Sequence, residues 1–241
     1  MSKIWAHRGA SAYAPENTLE AFSLAIDMKA EGIELDAHLS KDGVLMVGHD
    51  ESINRCSNGK GYVRDYTCAE LKTFDFSYRF PQYKGAKMPT LAEVYELMKP
   101  AGLFINVEIK CLPFLYEGVE EKLDKLARDM GMEDRIIYSS FDHYTLVKMR
   151  QINPKVPLGI LYDEAIYQPW KYAADMGVNA LHPHFASLNR DITAPSQAAG
   201  IMVHPWTVDD PDIMREMYRQ QVEAIITNKP DLARKVLEEM A

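Results

Sequence analysis

The sequence is poor in cysteine, carries no basic excess, and has no apolar run long enough to span a bilayer. Cys56, Cys68 and Cys111 are its three thiols in 241 residues. Their spacing fits no zinc motif, and an odd number argues against a disulfide framework. Free thiols in a reducing compartment are the expected state. Lys and Arg number 27 against 35 Asp and Glu, a formal charge of −8. That balance argues against bulk electrostatic attraction to nucleic acid or to an anionic membrane, although a local cationic pocket would still hold one phosphate. Met1-Ser2-Lys3 passes directly into Ile4-Trp5-Ala6, so neither a secretory leader nor an integral membrane association is expected, and the location read from the sequence is cytoplasmic.

What is present is an ordinary globular composition, 47% hydrophobic and 26% charged. Extended and helical patterns alternate along the chain. The spacing predicts strands over residues 3–7, 32–38, 44–48, 103–109, 135–139, 157–161, 179–182, 200–205 and 224–227. Helices are expected over 17–30, 91–98, 115–130, 143–151, 165–176, 192–199, 211–219 and 230–240, with Thr90 as an N-cap after Pro89. Lys41-Asp42-Gly43 turns the second strand into a hairpin with the third. Eight principal strands, each followed by a helix, in a chain near the roughly 250 residues of a (β/α)8 barrel point to a single TIM-type domain over residues 1–241. A doubly wound open sheet is the alternative, because periodicity carries no information about closure.

Residues 51–88 break this rhythm. Only 67–73 reads as helical, with Thr67 and Glu70 forming a capping box. So long a segment in a compact fold is expected to be functional or a small subdomain, here an insertion over the barrel mouth. Phe74, Phe76, Tyr78, Phe80 and Tyr83 are expected as its core.

Chemistry-bearing residues stand where extended runs stop: His7-Arg8-Gly9, Glu34-Leu35-Asp36, His49-Asp50 and Asn106-Val107-Glu108-Ile109-Lys110. Alternation puts Glu34 and Asp36 on one face of their strand, and Glu108 and Lys110 on one face of theirs. Such groups are expensive to bury unpaired, and they make sense converging on a divalent cation and a phosphate at the mouth. An all-oxygen donor set suits Mg²⁺ or Ca²⁺ better than Zn²⁺. Lys110 and Arg8 would bring positive charge to the phosphate, Arg8 through its planar fork of donors.

Together with Pro15-Glu16-Asn17-Thr18, Pro205-Trp206-Thr207-Val208-Asp209 and Thr227-Asn228-Lys229-Pro230, this ordered set resembles the glycerophosphodiester phosphodiesterases of the bacterial cytoplasmic type, along essentially the whole chain. The resemblance implies a TIM-type barrel with an insertion after the second strand. It implies Glu34, Asp36 and Glu108 as metal ligands, His7 and His49 as an acid–base pair, Arg8 and Lys110 as phosphate contacts, and Trp206 lining the pocket. The implied reaction is metal-dependent hydrolysis of a small glycerophosphodiester, such as glycerophosphocholine or glycerophosphoethanolamine, to sn-glycerol 3-phosphate and an alcohol. Water or the glycerol 2-hydroxyl can be the nucleophile, either histidine can be the acid, and a homo-oligomer stays open. Two rivals are a phospholipase C/D-like enzyme acting on lysophospholipids or phosphoinositides, which needs an apolar approach, and a non-catalytic phosphodiester-binding module.

Asn228 stands where many relatives carry Asp, at a position that reads as structural, and Gly48 precedes His49 where a bulkier residue is common. His38 shares the face of Asp36 and is read as mainly structural. His182, His184 and His204 are expected to crowd the mouth without a catalytic role. Glu16 and Asn17 are expected to hold the first loop and the helix start, Glu16 also orienting His7 or Arg8, while Asp50 anchors its own loop.

Overall fold

The computed structural model describes residues 2–240 and builds nine strands: β1 (Lys3–His7), β2 (Gly32–Leu39), β3 (Leu45–Val47), β4 (Phe104–Ile109), β5 (Ile136–Ser140), β6 (Leu158–Tyr162), β7 (Ala180–Pro183), β8 (Met202–Val203) and β9 (Ala224–Thr227). They pair in the order β8-β7-β6-β5-β4-β2-β1-β9, all parallel along this path, while β3 returns antiparallel against β2 as the expected hairpin. The seam between β8 and β9 decides between barrel and open sheet. Here Ile226 N–H donates to Pro205 O and Val208 N–H to Ile226 O, each at 2.9 Å. The Glu223 carboxylate accepts the Val203 N–H at 2.7 Å. The sheet therefore closes into a TIM-type barrel, and the doubly wound alternative falls.

The helices are α1 (Leu19–Asp27), α2 (Cys68–Leu71), α3 (Leu91–Ala101), α4 (Val119–Met130), α5 (His143–Ile152), α6 (Pro169–Asp175), α7 (Arg190–Ala198), α8 (Pro211–Arg219) and α9 (Pro230–Glu239). Several start later than the apolar pattern suggests. Thr18, not Glu16 or Asn17, caps α1 by accepting the Ala21 N–H. Gly118, at φ +74°, sets the start of α4, so residues 115–118 lie outside it. Pro169 opens α6 because it has no N–H to offer a preceding turn. β8 is shorter than expected because Pro205 interrupts its ladder, although pairing resumes where Trp206 N–H meets Pro183 O at 3.1 Å. None of the described helices is long and apolar enough to cross a membrane.

Outward residues of the strands pack under the helices in one continuous core that includes Ile4, Phe22, Leu35, Val107 and Ile160. Inward residues fill the lumen, with Trp5, Ile137, Ala180, Ala224 and Ile226 forming a smaller cluster. Residues 51–88 contribute to a third cluster, made of Ile53, Val63, Leu71, Phe76 and Met88 against Met46 of β3. Of the expected aromatic core only Phe76 is buried, with Phe74 packed beside it; Tyr78 is exposed under the Arg55 and Arg79 guanidinium groups. The run is not a strand, so its period-two spacing does not translate into burial.

His182 and His204 lie inside the lumen rather than crowding the mouth. Both are buried, with His204 Nδ1 3.0 Å from His182 Nε2 and the Trp5 ring against both. Gly159 has no side chain for a reason: a Cβ there would sit 2.4 Å from His182 Nε2. Burial lowers the His182 pKa to about 3. Burial, then the neighbouring His182 and Lys3, hold His204 well below its ordinary value. The unfolded chain takes up these protons near pH 6.5, whereas the folded chain refuses them until far lower pH. Stability from this pair is thus complete above pH 6.5 and lost as pH falls toward 3, each histidine contributing a slope of up to about 1.4 kcal/mol per pH unit. Thermal unfolding followed from pH 7.5 to 5 is expected to show a falling Tm, and His182→Asn to flatten that fall. An equal slope in the variant contradicts the assignment.

Candidate active site

β1 ends at His7, and the chain then turns sharply through two left-handed residues, Arg8 at φ +56° and Gly9 at φ +79°. A Cβ on Gly9 would lie 2.6 Å from the Ala21 backbone, so only glycine lets this turn sit on α1. The turn aims the Arg8 side chain back over β2, where Nε lies 3.4 Å from Asp36 Oδ2 and Nη1 donates to Glu16 Oε1 at 3.0 Å. Asn17, also left-handed at φ +57°, donates from Nδ2 to Asp36 Oδ2 at 2.8 Å. It therefore reaches the acidic cluster rather than merely holding the helix start.

Strand register assembles the carboxylates. His7 is level with Glu34, Glu34 with Asn106, and Asp36 with Glu108. Glu34, Asp36 and Glu108 are 4%, 0% and 8% exposed, and each offers an oxygen within 4.8 Å of the others. Lys110 Nζ lies 3.0 Å from Asp36 Oδ1 and 2.6 Å from Glu108 Oε1, turned toward the carboxylates. Burial, then the charge of Asp36, drives Glu34 well above the ordinary carboxyl range. Burial also raises Glu108 against the pull of Lys110. At Asp36 burial works in the same direction but is overcome by Lys110 and Arg8, so this carboxyl stays well below its usual value.

With all three ionised, three carboxylates against two cations would leave one negative charge in a buried pocket. A divalent cation would invert that sign and match a monoanionic phosphodiester. Asp36 Oδ1 supports the fit, since despite the nearby ammonium it has no well-directed hydrogen bond in a fully buried position. These three side chains can hold a metal ion.

The two histidines flank the cluster and are oriented differently. Asn228 Nδ2 donates to Asp209, which can only accept, so Asn228 Oδ1 must face His7 Nδ1 at 2.7 Å. His7 Nδ1 therefore carries the proton, and Nε2 is left facing Glu34 Oε2 at 3.9 Å. Asn228, read from sequence as merely structural, thus sets the tautomer of His7. Burial, then the Arg8 charge, lowers the His7 pKa to about 4. His49 follows β3, with Nδ1 2.7 Å from Asp50 Oδ1. Its backbone carbonyl accepts from His38 Nε2 at 3.1 Å, and His38 Nδ1 in turn meets the Tyr116 hydroxyl at 3.0 Å. His38 is accordingly structural, as the bearer of the His49 loop. The space before His49 at Gly48 is taken by Met88, whose methyl would meet a Cβ there at 2.4 Å.

His7, Arg8, Glu34, His49, Glu108 and Trp206 line a cavity of about 200 Å³ at the C-terminal end of the barrel, together with Asn106, Phe141, Leu161 and Ile226. Trp206 is held by its indole N–H to His182 O at 2.8 Å, its ring meeting Phe141 and His184 edge-on. Asp36 and Lys110 sit behind this lining. Asn106 was legible as the residue two before Glu108 on the same face; Phe141 and Leu161 had no signal beyond standing near strand ends. Arg55, which bonds Glu16 and Asp50 from the insertion, had none. A larger cavity of about 980 Å³ opens at the opposite end of the barrel, lined by Trp5, Phe104, Met202 and Glu223 among others. Among the described residues its lining holds a single carboxylate, Glu223, and size alone does not make it the site of chemistry.

The model of the glycerophosphoryl diester phosphodiesterase family matches residues 7–232. A glycerophosphodiester phosphodiesterase of Caldanaerobacter subterraneus subsp. tengcongensis is 40% identical over 95% of this chain and 94% of its own. One from Bacillus altitudinis is 39% identical over the full length of both. Among solved structures, a glycerophosphodiester phosphodiesterase of Agrobacterium tumefaciens aligns with a TM-score of 0.85 at 31% identity, covering 97% of this chain and 99% of that one. A phosphodiesterase of Oleispira antarctica, solved with its product sn-glycerol-3-phosphate, aligns at 0.88 with 26% identity, covering 99% and 97%. Sequence and architecture agree from the first strand to the last helix: the chain belongs to the glycerophosphoryl diester phosphodiesterase family and is an enzyme of that hydrolytic class.

Proposed function

We propose that this enzyme cleaves small glycerophosphodiesters, such as glycerophosphocholine and glycerophosphoethanolamine, to sn-glycerol 3-phosphate and the head-group alcohol. The observation that carries this reading is the buried Glu34–Asp36–Glu108 cluster with Arg8 beside it and one histidine on either side. In this reading residues 1–241 form one barrel domain, with 51–88 an insertion over the mouth; the reach of Arg55 to Glu16 and Asp50 supports that. The three free thiols agree with a cytoplasmic setting.

Bound at Glu34, Asp36 and Glu108, Mg²⁺ or Ca²⁺ would supply Lewis-acid charge to a non-bridging phosphoryl oxygen. Arg8 would hold a phosphate oxygen through its free guanidinium N–H groups, and Lys110 would add positive charge from behind the carboxylates. Burial keeps His7 neutral with Nε2 unprotonated, which suits it to take the proton from the nucleophile. His49 is then the donor to the departing alkoxide: Asp50 accepts from its Nδ1, so Nε2 is the nitrogen left for the substrate side. Trp206 and Phe141 form the wall against which the leaving alcohol would lie.

The loops after β4, β5 and β6 and the first turn of α5 expose Leu112, Leu115, Phe141, Tyr144 and Tyr167, and Phe141 also lines the cavity. This apolar rim favours a second reading, a phospholipase-like action on lysophospholipids. Rates on glycerophosphocholine and on lysophospholipid micelles separate the two: similar or higher turnover of the soluble diester is expected, and a preference above roughly tenfold for micelles reverses the order.

Glycerol 3-phosphate released from glycerophosphocholine is expected to need Mg²⁺ or Ca²⁺, and to fall roughly a hundred- to ten-thousand-fold in His7→Ala and His49→Ala. Release at the normal rate by metal-stripped protein or by either variant refutes the proposal. Because burial, then the charge of Asp36, disfavours ionised Glu34 in the metal-free fold, Glu34→Gln is expected to raise the metal-free Tm. The same variant should lose most of the rise in Tm that Mg²⁺ or Ca²⁺ produces in the wild type. A variant that is less stable without metal, or equally responsive to it, contradicts the assignment of Glu34.

A further inference from the structure

We propose that Arg55, supplied by the 51–88 insertion, is a positioning residue that sets both His49 and Arg8 for the reaction. Its guanidinium spans two carboxylates. Nε donates to Asp50 Oδ2 at 2.8 Å and Nη2 to Asp50 Oδ1 at 2.9 Å, while Nη1 and Nη2 donate to Glu16 Oε2 and Oε1 at 2.7 and 2.8 Å. Each carboxylate passes the constraint on. Asp50 Oδ1 accepts a hydrogen bond from His49 Nδ1 at 2.7 Å, and Glu16 Oε1 accepts one from Arg8 Nη1 at 3.0 Å. Arg55 does not line the cavity, so it acts only through these two partners.

The arrangement has a physical logic. Asp50 and Glu16 belong to different loops, one after β3 and one between β1 and α1. Without a cation between them they repel, and the side chains of His49 and Arg8 lose the bridge that ties one to the other. Glu16 would also be free to draw Arg8 away from the phosphate, since its second oxygen would have no other partner. Arg55 occupies that oxygen and leaves Arg8 a single bond to Glu16. Lysine cannot substitute, because a point charge lacks the planar fork that engages both carboxylates bidentately. The Tyr78 ring, 5.8 Å from the Arg55 guanidinium carbon, backs it from within the insertion. Through Arg55 the insertion thus sets the geometry of the mouth.

This inference rests on the hydrolase reading, and the test separates the two. Turnover of glycerophosphocholine, with divalent cation present, would be measured for wild type, Arg55→Ala, Arg55→Lys, Asp50→Asn and the double variant Asp50→Asn/Arg55→Ala, and calorimetry would give the affinity of each for sn-glycerol 3-phosphate. Arg55→Ala is expected to lower kcat by about tenfold or more through His49 and to weaken glycerol 3-phosphate binding about tenfold through Arg8. Arg55→Lys should restore neither, and guanidinium ion at tens of millimolar should restore part of the kcat of Arg55→Ala. The double variant should turn over no more slowly than the slower single one, because both act on His49 along one route. Wild-type kcat and glycerol 3-phosphate affinity in Arg55→Ala overturn the inference, and so do losses that multiply in the double variant. If the wild type releases no glycerol 3-phosphate, the hydrolase reading fails. The inference is then decided by affinity alone, and it falls if Arg55→Ala binds glycerol 3-phosphate as tightly as the wild type.

Discussion

Asp36 is the point on which the rest of the site depends. It is a fully buried carboxylate kept ionised by Lys110 on one side, Arg8 on the other, and the Asn17 amide above. Two further carboxylates, Glu34 and Glu108, are forced against it by the strand register. A fold that spends stability to crowd three acids needs a compensating occupant. The surrounding structure reads as the means of holding that arrangement open: the left-handed turn at Arg8 and Gly9, the left-handed Asn17, and the parallel ladder from β1 through β4. Like charges held close, with Lys110 behind them and Arg8 at one edge, leave an attractive field for a further cation at the centre.

The barrel divides its labour along its axis. Beneath the acids, the lumen is filled by neutral groups, Trp5 and the His182–His204 pair, which stay uncharged because burial refuses them a proton. At the C-terminal end, the cavity is lined by imidazole, guanidinium, carboxylate, amide, aromatic and aliphatic groups. They come from β1, β2, β4, β6, β9 and the segments after β1, β3, β5 and β8, so no single loop builds the cavity. The insertion is tied into this end by Arg55, while its own small core, Met88 included, rests on Met46 of β3.

Much of this was legible in the amino-acid order, and the exceptions have physical causes. β1, β9 and α8 run between the residues that the patterns suggest, and the period-two faces of Glu34/Asp36 and Glu108/Lys110 do converge. The starts of α4 and α6 were missed because apolar spacing continues past Gly118 and Pro169, where the backbone cannot. The position of His182 and His204 depends on depth within a closed barrel, which periodicity does not encode. The role of Asn228 follows from a contact with His7 made across 221 residues of chain. Arg55 was invisible for the same reason. Its partners, Glu16 and Asp50, were each read as local anchors, and only folding brings them onto one guanidinium.

The most direct test of the central claim is anomalous diffraction from crystals soaked with Mn²⁺ and sn-glycerol 3-phosphate, Mn²⁺ serving as a detectable substitute for Mg²⁺ or Ca²⁺. The account predicts one strong peak within coordination distance of oxygens from Glu34, Asp36 and Glu108, with the phosphate between that peak and Arg8. A phosphate bound at the mouth with no metal beside those carboxylates, or a metal bound elsewhere in the barrel, would contradict it.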